Sequence, residues 1–242
     1  MIGVILAAGM ASRLRPLTDT CPKCLLSIGN RPLLQRTVDA LVDNGITEIV
    51  VVTGYRHEMI ESFLQEAYPS LTIHFIDNVD YQTTNNIYSL WLTRPYCDGK
   101  DILLMDSDIL CDPVIVRVML AQEGNALALN RHDCGEEEMK VCVDADMNIT
   151  ELSKTCSCEE AVGESVGFEK MTPAYTQALF AELEVMMNDE HLENVFYERA
   201  FERLIPQGHT FRVVDTTDIF SMELDTVEDF NNAKSLIPAE LY

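Results

Sequence analysis

The chain has 242 residues, with 17 Lys and Arg against 40 Asp and Glu, a formal net charge of −23. A field of that sign repels polyanions and argues against nucleic acid or an acidic membrane surface as partner. Hydrophobic residues at 47% and charged residues at 24% exclude a disordered chain, and the length suits one substantial domain or two small ones.

In chain order, Ile2 to Leu6 reads as a buried strand that stops at Ala7-Ala8-Gly9 and gives way to Ser12-Arg13. Arg31 to Asn44 has the apolar spacing of a helix, and Asn44-Gly45 closes it. EIVVVTGY is a β-branched run suited to a strand covered on both faces. A helix from about Arg56 to Ala67, the strand LTIHFID, a helix over 84–94 and the strand DILLMDSDIL follow. Strand and helix alternate to residue 120, which predicts a doubly wound α/β unit. Beyond it, ALALN, MKVCVD, NITELS and SVGFEKM read as short strands joined as hairpins. Two helices, at 173–187 and 194–204, then the strands of FRVVDTTDIFSMEL and a last helix from Thr226 to Ser235 complete the pattern. No linker or repeat divides the chain. The expected architecture is a single α/β domain over 1–242, Rossmann-like, with a mixed sheet, in which residues 1–120 form the doubly wound half and 121–242 add a small substrate-facing subdomain.

No apolar run reaches the roughly 18 residues of a membrane-spanning helix. The N-terminus lacks a basic leader, so no signal peptide is expected. Eight cysteines without secretory context then suggest reduced thiols and a cytoplasmic location. Cys21-x-x-Cys24 has no partner pair of zinc spacing, because Cys156-x-Cys158 is too close.

Three clusters carry chemistry. The first thirty-six residues hold five cations and one acid, the reverse of the whole chain. A loop leaving a parallel strand through Gly9 can turn backbone N–H groups toward a phosphate, with Arg13 and Lys23 adding charge-assisted hydrogen bonds. An ordinary βα turn with surface arginines fits the same residues. Asp106-Ser107-Asp108 ends the strand ILLM, where α/β sheets bind ligands. Strand alternation would point both carboxylates to one side, and Mg²⁺ beside phosphates is a usual guest for such a pair. A solvated turn is the plainer alternative. Asp225 follows another apolar strand and precedes a helix, so it fits either a metal ligand or an N-cap.

LAAGMASRLRPLTDTCPKCLL resembles the signature L-A-A-G-x-G-[ST]-R-[LM]-x-P-x-T-x-x-x-P-K-x-L of the nucleoside triphosphate transferases of the sugar nucleotidyltransferase-like superfamily. The likeness continues through GITEIVVVTGY, LLMDSDIL and ELDTVEDF, and NNIYSLWL looks like a stretch of the bacterial choline-phosphate, aminoethylphosphonate and inositol-phosphate cytidylyltransferases. The resemblance implies a GT-A-like nucleotidyltransferase fold, CTP and a small phosphorylated or phosphonate acceptor as partners, and Mg²⁺ as cofactor. It assigns Arg13 to the β- and γ-phosphates, Lys23 to the α-phosphate, and Asp108 and Asp225 to the metal. Leu6, Ala7, Ala8, Gly9, Met10, Asn85 and Ser89 would line the nucleotide site. Asp106, Tyr88, Lys154, Glu164 and Tyr197 would serve the acceptor, with Asn86 near them; Tyr88 and Trp91 also fit the apolar face of a helix. Ala11 replaces the second signature glycine, which a negative φ would tolerate.

The implied reaction is attack of an acceptor oxygen on the α-phosphorus of CTP with loss of pyrophosphate. A cationic acceptor would need a carboxylate or aromatic partner, for which Asp106, Glu136 to Glu138, Tyr88, Tyr197 and Glu223 are candidates. Met139 stands where a quaternary-ammonium cage would place an aromatic. The alternatives are a sugar-1-phosphate nucleotidyltransferase using UTP or dTTP and a catalytically silent module on the same fold. Either a monomer or a homodimer fits the sequence.

Overall fold

The computed structural model describes residues 1–136 and 138–242. Strand β1 (Ile2–Ala7) is buried throughout. It leads into short 3-10 turns at 12–14, 17–19 and 23–25 and the small hairpin of β2 (Ser27–Ile28) and β3 (Arg31–Pro32). Next come α1 (Leu33–Asp43), β4 (Glu48–Thr53), α2 (His57–Ala67), β5 (Thr72–Asp77), α3 (Asn86–Leu92), α4 (Arg94–Cys97), β6 (Ile102–Asp106), β7 (Ile109–Cys111) and α5 (Val114–Leu120). The remainder holds β8 (Ala126–Asn130), β9 (Lys140–Val143), β10 (Ile149–Ser153), β11 (Gly163–Met171), α6 (Pro173–Asn188), α7 (Glu198–Leu204), β12 (Arg212–Asp215), β13 (Ser221–Glu223) and α8 (Val227–Leu236).

Nine strands share one mixed sheet, and its β5-β4-β1-β6 portion is parallel. Side chains alternate between two apolar layers, as a sheet covered on both faces requires. Val4, Val50 and Leu104 pack with Ile87 of α3 and Leu179 of α6. Ile5, Val51 and Met105 pack with Val38 of α1, Ile60 of α2 and Ile115 of α5. The chain reverses its direction of progress across the sheet between β1 and β6, so their carboxyl ends flank a crevice.

Strand β11 joins the two halves. Along one edge it pairs antiparallel with β8; along the other it pairs first with β9, at Gly163 and Glu164, and then with β6, from Phe168 to Met171. Between these partners the register on β8 jumps from Ser165↔Leu129 to Glu169↔Leu127. Gly167 sits in the bulge with φ of 76°, and a Cβ there would lie 2.9 Å from Asp106 Oδ2. Only glycine fits so close an approach in that left-handed conformation. The sheet splits at this bend, β9 to one side and β6 to the other, and the cleft opens in the gap.

Three elements differ from the sequence-based expectation. The run 101–110 is two strands, because β7 leaves the main sheet to pair antiparallel with β13. The helix expected at 84–94 starts at Asn86, where the Asn85 side chain accepts from the Asn86 N–H, and stops at Leu92 ahead of Pro95. The helix expected from 194 begins only at Glu198. Among the described residues, no helix is long and apolar enough to cross a membrane.

Candidate active site

A cleft of about 940 Å³ runs along the carboxyl ends of β1 and β6 and into the gap beside β11. Leu6, Ala7, Ala8 and Gly9 form its wall at the end of β1. A Cβ at Gly9 would meet nothing within 4 Å, so the backbone there faces open space. The loop is braced from behind, where Tyr55 N–H donates to the Ala8 carbonyl at 3.0 Å.

The charges meet at this end. Lys23 Nζ donates to Asp108 Oδ2 at 2.9 Å and to Asp225 Oδ1 at 2.8 Å, and Arg13 pairs with the second oxygen of Asp225. Lys23 is 9% exposed. Burial alone would lower its pKa, but Asp108 and Asp225 more than offset that and raise it above the usual lysine range. Burial pulls Asp225 upward, yet Lys23 and then Arg13 hold its carboxyl below the ordinary value. Two residues far apart in sequence meet because β7 pairs with β13: Glu223 lies opposite Ile109, and Leu224 N–H donates to the Asp108 carbonyl at 3.2 Å. Asp225 does not cap α8. Thr226 does, in a capping box whose hydroxyl accepts from Asp229 N–H at 3.1 Å while Asp229 Oδ2 accepts from Thr226 N–H at 2.8 Å. Asp225 is therefore left to the cleft.

Asp108, Glu223 and Asp225 each bring a carboxylate oxygen within 4.8 Å of the others. Burial, then Asp108 and Asp225, push the Glu223 carboxyl up to about 8. Three carboxyl groups crowded so closely that they oppose one another's charge make an oxygen-donor set that fits a hard cation such as Mg²⁺.

The far end of the cleft is lined by Lys154, Glu164, Phe196 and Glu198, with Asp106 on its floor. Lys154 Nζ lies over the Phe196 ring, 4.9 Å from its centroid. Asp106 Oδ2 accepts from the Tyr197 hydroxyl at 3.1 Å. Asn86 Oδ1 accepts from Tyr197 N–H at 2.9 Å and so fixes the start of α7 against α3. Burial, and then Asp108 and Glu198, push the Asp106 carboxyl well above the usual range.

Residues 2–128 match the family model described as Nucleotidyl transferase. The chain belongs to the nucleotidyl transferase family. This nucleotidyl transferase is 28% identical to a CMP-5'-(3-aminopropyl)phosphonate synthase of Streptomyces rubellomurinus over 95% of its own length and 38% of the relative's. It is 34% identical to a 2-aminoethylphosphonate cytidylyltransferase of Lancefieldella rimae over 47% of its length and 42% of the relative's. The chain thus spans about two fifths of the length of these relatives. In fold, it resembles the solved CTP:phosphocholine cytidylyltransferase of Streptococcus pneumoniae, with a TM-score of 0.81 at 18% identity, covering 98% of this chain and 99% of that one. The fold is the GT-A-like one of the nucleotidyltransferases.

Within this nucleotidyl transferase most of the anticipated residues lie on the cleft wall, and three do not. Met10, at the end of the loop, is absent from the lining. Tyr88 packs beside Trp91, ring centroids 5.4 Å apart, against the core under α3. Tyr197 is fully buried and reaches the site only through its hydroxyl on Asp106. Ser89 lines the wall, but its hydroxyl accepts from the Asn78 amide at 3.1 Å. Ala11 has φ of 47°, not the negative value expected; Thr18 Oγ1 donates to its carbonyl at 2.9 Å and holds that turn. Cys24 is buried, and burial pushes its thiol up to about 12. Glu137 lies outside the described residues.

Asn78 and Glu198 are among the cleft residues that went unnoticed in the sequence. Asn78, 1% exposed, ties β5 to α3 at the cleft edge. Glu198 is 7% exposed although it lines the cleft. A signal for Glu198 exists: in YERAFERL it stands one residue after Tyr197 and three before Phe201, within the apolar stripe of a helix.

Proposed function

We propose that this chain is a cytidylyltransferase that moves CMP from CTP to the phosphate or phosphonate of a small acceptor and releases pyrophosphate. The observation that carries the reading is the meeting of Lys23 and Arg13 with Asp108 and Asp225 at the carboxyl ends of β1 and β6. The two relatives whose names specify aminoalkylphosphonates support the nucleotide and the acceptor class.

The chemistry follows from charge. An acceptor oxygen attacks the α-phosphorus in line as the pyrophosphate oxygen departs. The acceptor is already anionic near neutral pH, so the site needs no general base. The obstacle is repulsion between two polyanions. Lys23 stabilises charge at the transferring phosphoryl group and Arg13 stabilises it on the leaving pyrophosphate. Mg²⁺, held by Asp108 and Asp225 with Glu223 in reach, would supply charge neutralisation across the phosphates when bound. Lys154, at the other end of the cleft, is the cation for the acceptor's own phosphorus group. The eight free cysteines suit a reducing compartment such as the cytoplasm.

Pyrophosphate release tests the reading. CTP, UTP and dTTP are each assayed against aminoethylphosphonate, choline phosphate, inositol phosphate and hexose-1-phosphates. Release with CTP and a phosphonate or alcohol phosphate is expected, and release confined to UTP or dTTP with a sugar phosphate refutes it.

A further inference from the structure

The acceptor end of the cleft holds more negative charge than a site for a phosphorylated molecule needs. Asp106 and Glu198 line it, and Glu169 lies directly behind, 0% exposed. Glu198 Oε2 and Glu169 Oε2 are buried oxygens with no hydrogen-bond partner. The Tyr197 hydroxyl occupies one oxygen of Asp106, and the Ser165 hydroxyl reaches Glu169 Oε1 only at 3.5 Å. A buried carboxylate oxygen without a donor carries a full desolvation penalty, so such groups are retained where something arrives to satisfy them.

We propose that Glu198, with Asp106 beside it, is the binding site for a primary ammonium on the acceptor, at the end opposite the phosphorus group. The inference rests on the transfer reading above only for the identity of that acceptor. Two further observations fix the chemistry of the ligand. Lys154 stands at the same end, so one molecule with an anionic and a cationic terminus would meet a cation and a carboxylate in turn. The aromatic cage that a quaternary ammonium requires is missing among the described residues. Phe196 and Tyr81 are the aromatic rings of the lining, and the face of Phe196 is already covered by Lys154. A primary ammonium, with three N–H donors, matches unpartnered carboxylate oxygens; a trimethylammonium has none to give. Burial pushes the Glu198 carboxyl up to about 7 and Glu169 well above the ordinary range, as carboxyls held out of water without donors require.

The test compares acceptors matched except for the amine. Binding of 2-aminoethylphosphonate, ethylphosphonate, phosphoethanolamine and phosphocholine to the full chain is measured by calorimetry with Mg²⁺ and a non-transferable CTP analogue present. The two primary amines should bind roughly 10–100-fold tighter than ethylphosphonate, the range for charged hydrogen bonds, and phosphocholine should not share the gain. Preference between the two amines tells whether the phosphorus group is a phosphonate or a phosphate ester. Glu198→Gln should bring 2-aminoethylphosphonate and ethylphosphonate within about threefold. If that variant does not fold, the ligand series on the parent protein decides alone. Equal binding of the matched pair, no binding of either, or a preference for phosphocholine over phosphoethanolamine overturns the inference. Pyrophosphate release is scored separately. Turnover of ethylphosphonate as fast as its amine leaves the transfer reading and removes the ammonium site. Amine-dependent binding without release from any nucleotide does the reverse.

Discussion

Glu198→Gln makes the cost of the buried carboxylate measurable as stability. In the folded chain its carboxyl is pushed up to about 7 from an ordinary 4.5, chiefly by burial, with Lys154 acting in the opposite direction. A carboxyl raised on folding binds more protons folded than unfolded between those two values, so stability falls as pH rises from about 4.5 to 7 and stays lower above it. At about 1.4 kcal/mol for each pKa unit, the penalty at pH 8 is on the order of 3 kcal/mol. The glutamine amide has nearly the same shape and no charge to desolvate. Parent and variant should therefore be similar at pH 4 and diverge across neutrality, with the variant ahead by up to about 3 kcal/mol, or roughly 6–12 °C in Tm for a chain of this size. Urea denaturation of both proteins at several pH values between 4 and 8.5 gives the difference directly. A gap that does not change with pH would refute the reasoning, because it would mean that the Glu198 carboxyl titrates alike in the folded and the unfolded chain.

Ala11→Gly should stabilise the chain by about 0.5–1 kcal/mol in the same assay, since it relieves a left-handed alanine; a loss of stability would show that the turn tolerates the methyl. Asp108→Asn and Asp225→Asn should each nearly abolish metal-dependent pyrophosphate release, with the double variant little worse, because groups acting as a unit are not additive. Multiplicative losses would separate the two roles, and helix capping does not confuse the result because Thr226 supplies the cap. Lys154→Ala should raise KM for the acceptor while leaving that for CTP nearly unchanged, and equal weakening of both substrates in steady-state kinetics would count against its assignment.

How far the sequence could be read depended on whether each feature was local. The parallel strands announced themselves because a strand covered on both faces must be apolar without interruption, as EIVVVT is. Asp108 and Asp225 stood out because charge at the end of an apolar run is costly without a partner, and Arg13 and Lys23 because they reverse the sign of an acidic chain. What could not be read was decided by pairing between distant segments. Ser107 breaks the strand only because β7 has β13 to pair with, and Asp225 escapes capping only because Thr226 and Asp229 complete a box. Lys23 had every mark of an exposed loop lysine, yet two carboxylates from the other side of the cleft bury it. Ala11 is held at positive φ by a turn whose hydrogen bond comes from Thr18. Tyr88 and Tyr197 look alike as candidates in the sequence, but one packs beside Trp91 and the other under Asp106.

The bent strand at the centre of the sheet has a thermodynamic consequence. Because β11 shares its backbone hydrogen bonds with β6 on one side of Gly167 and with β9 on the other, neither half can open without stripping partners from the other. The halves should melt in one cooperative step, with the amides of Phe168 to Met171 among the last to exchange with solvent. A ligand held at the end of β1 would then protect the far end of the cleft as well, since a ligand that binds only the folded state lowers the population of every opening that would destroy its site.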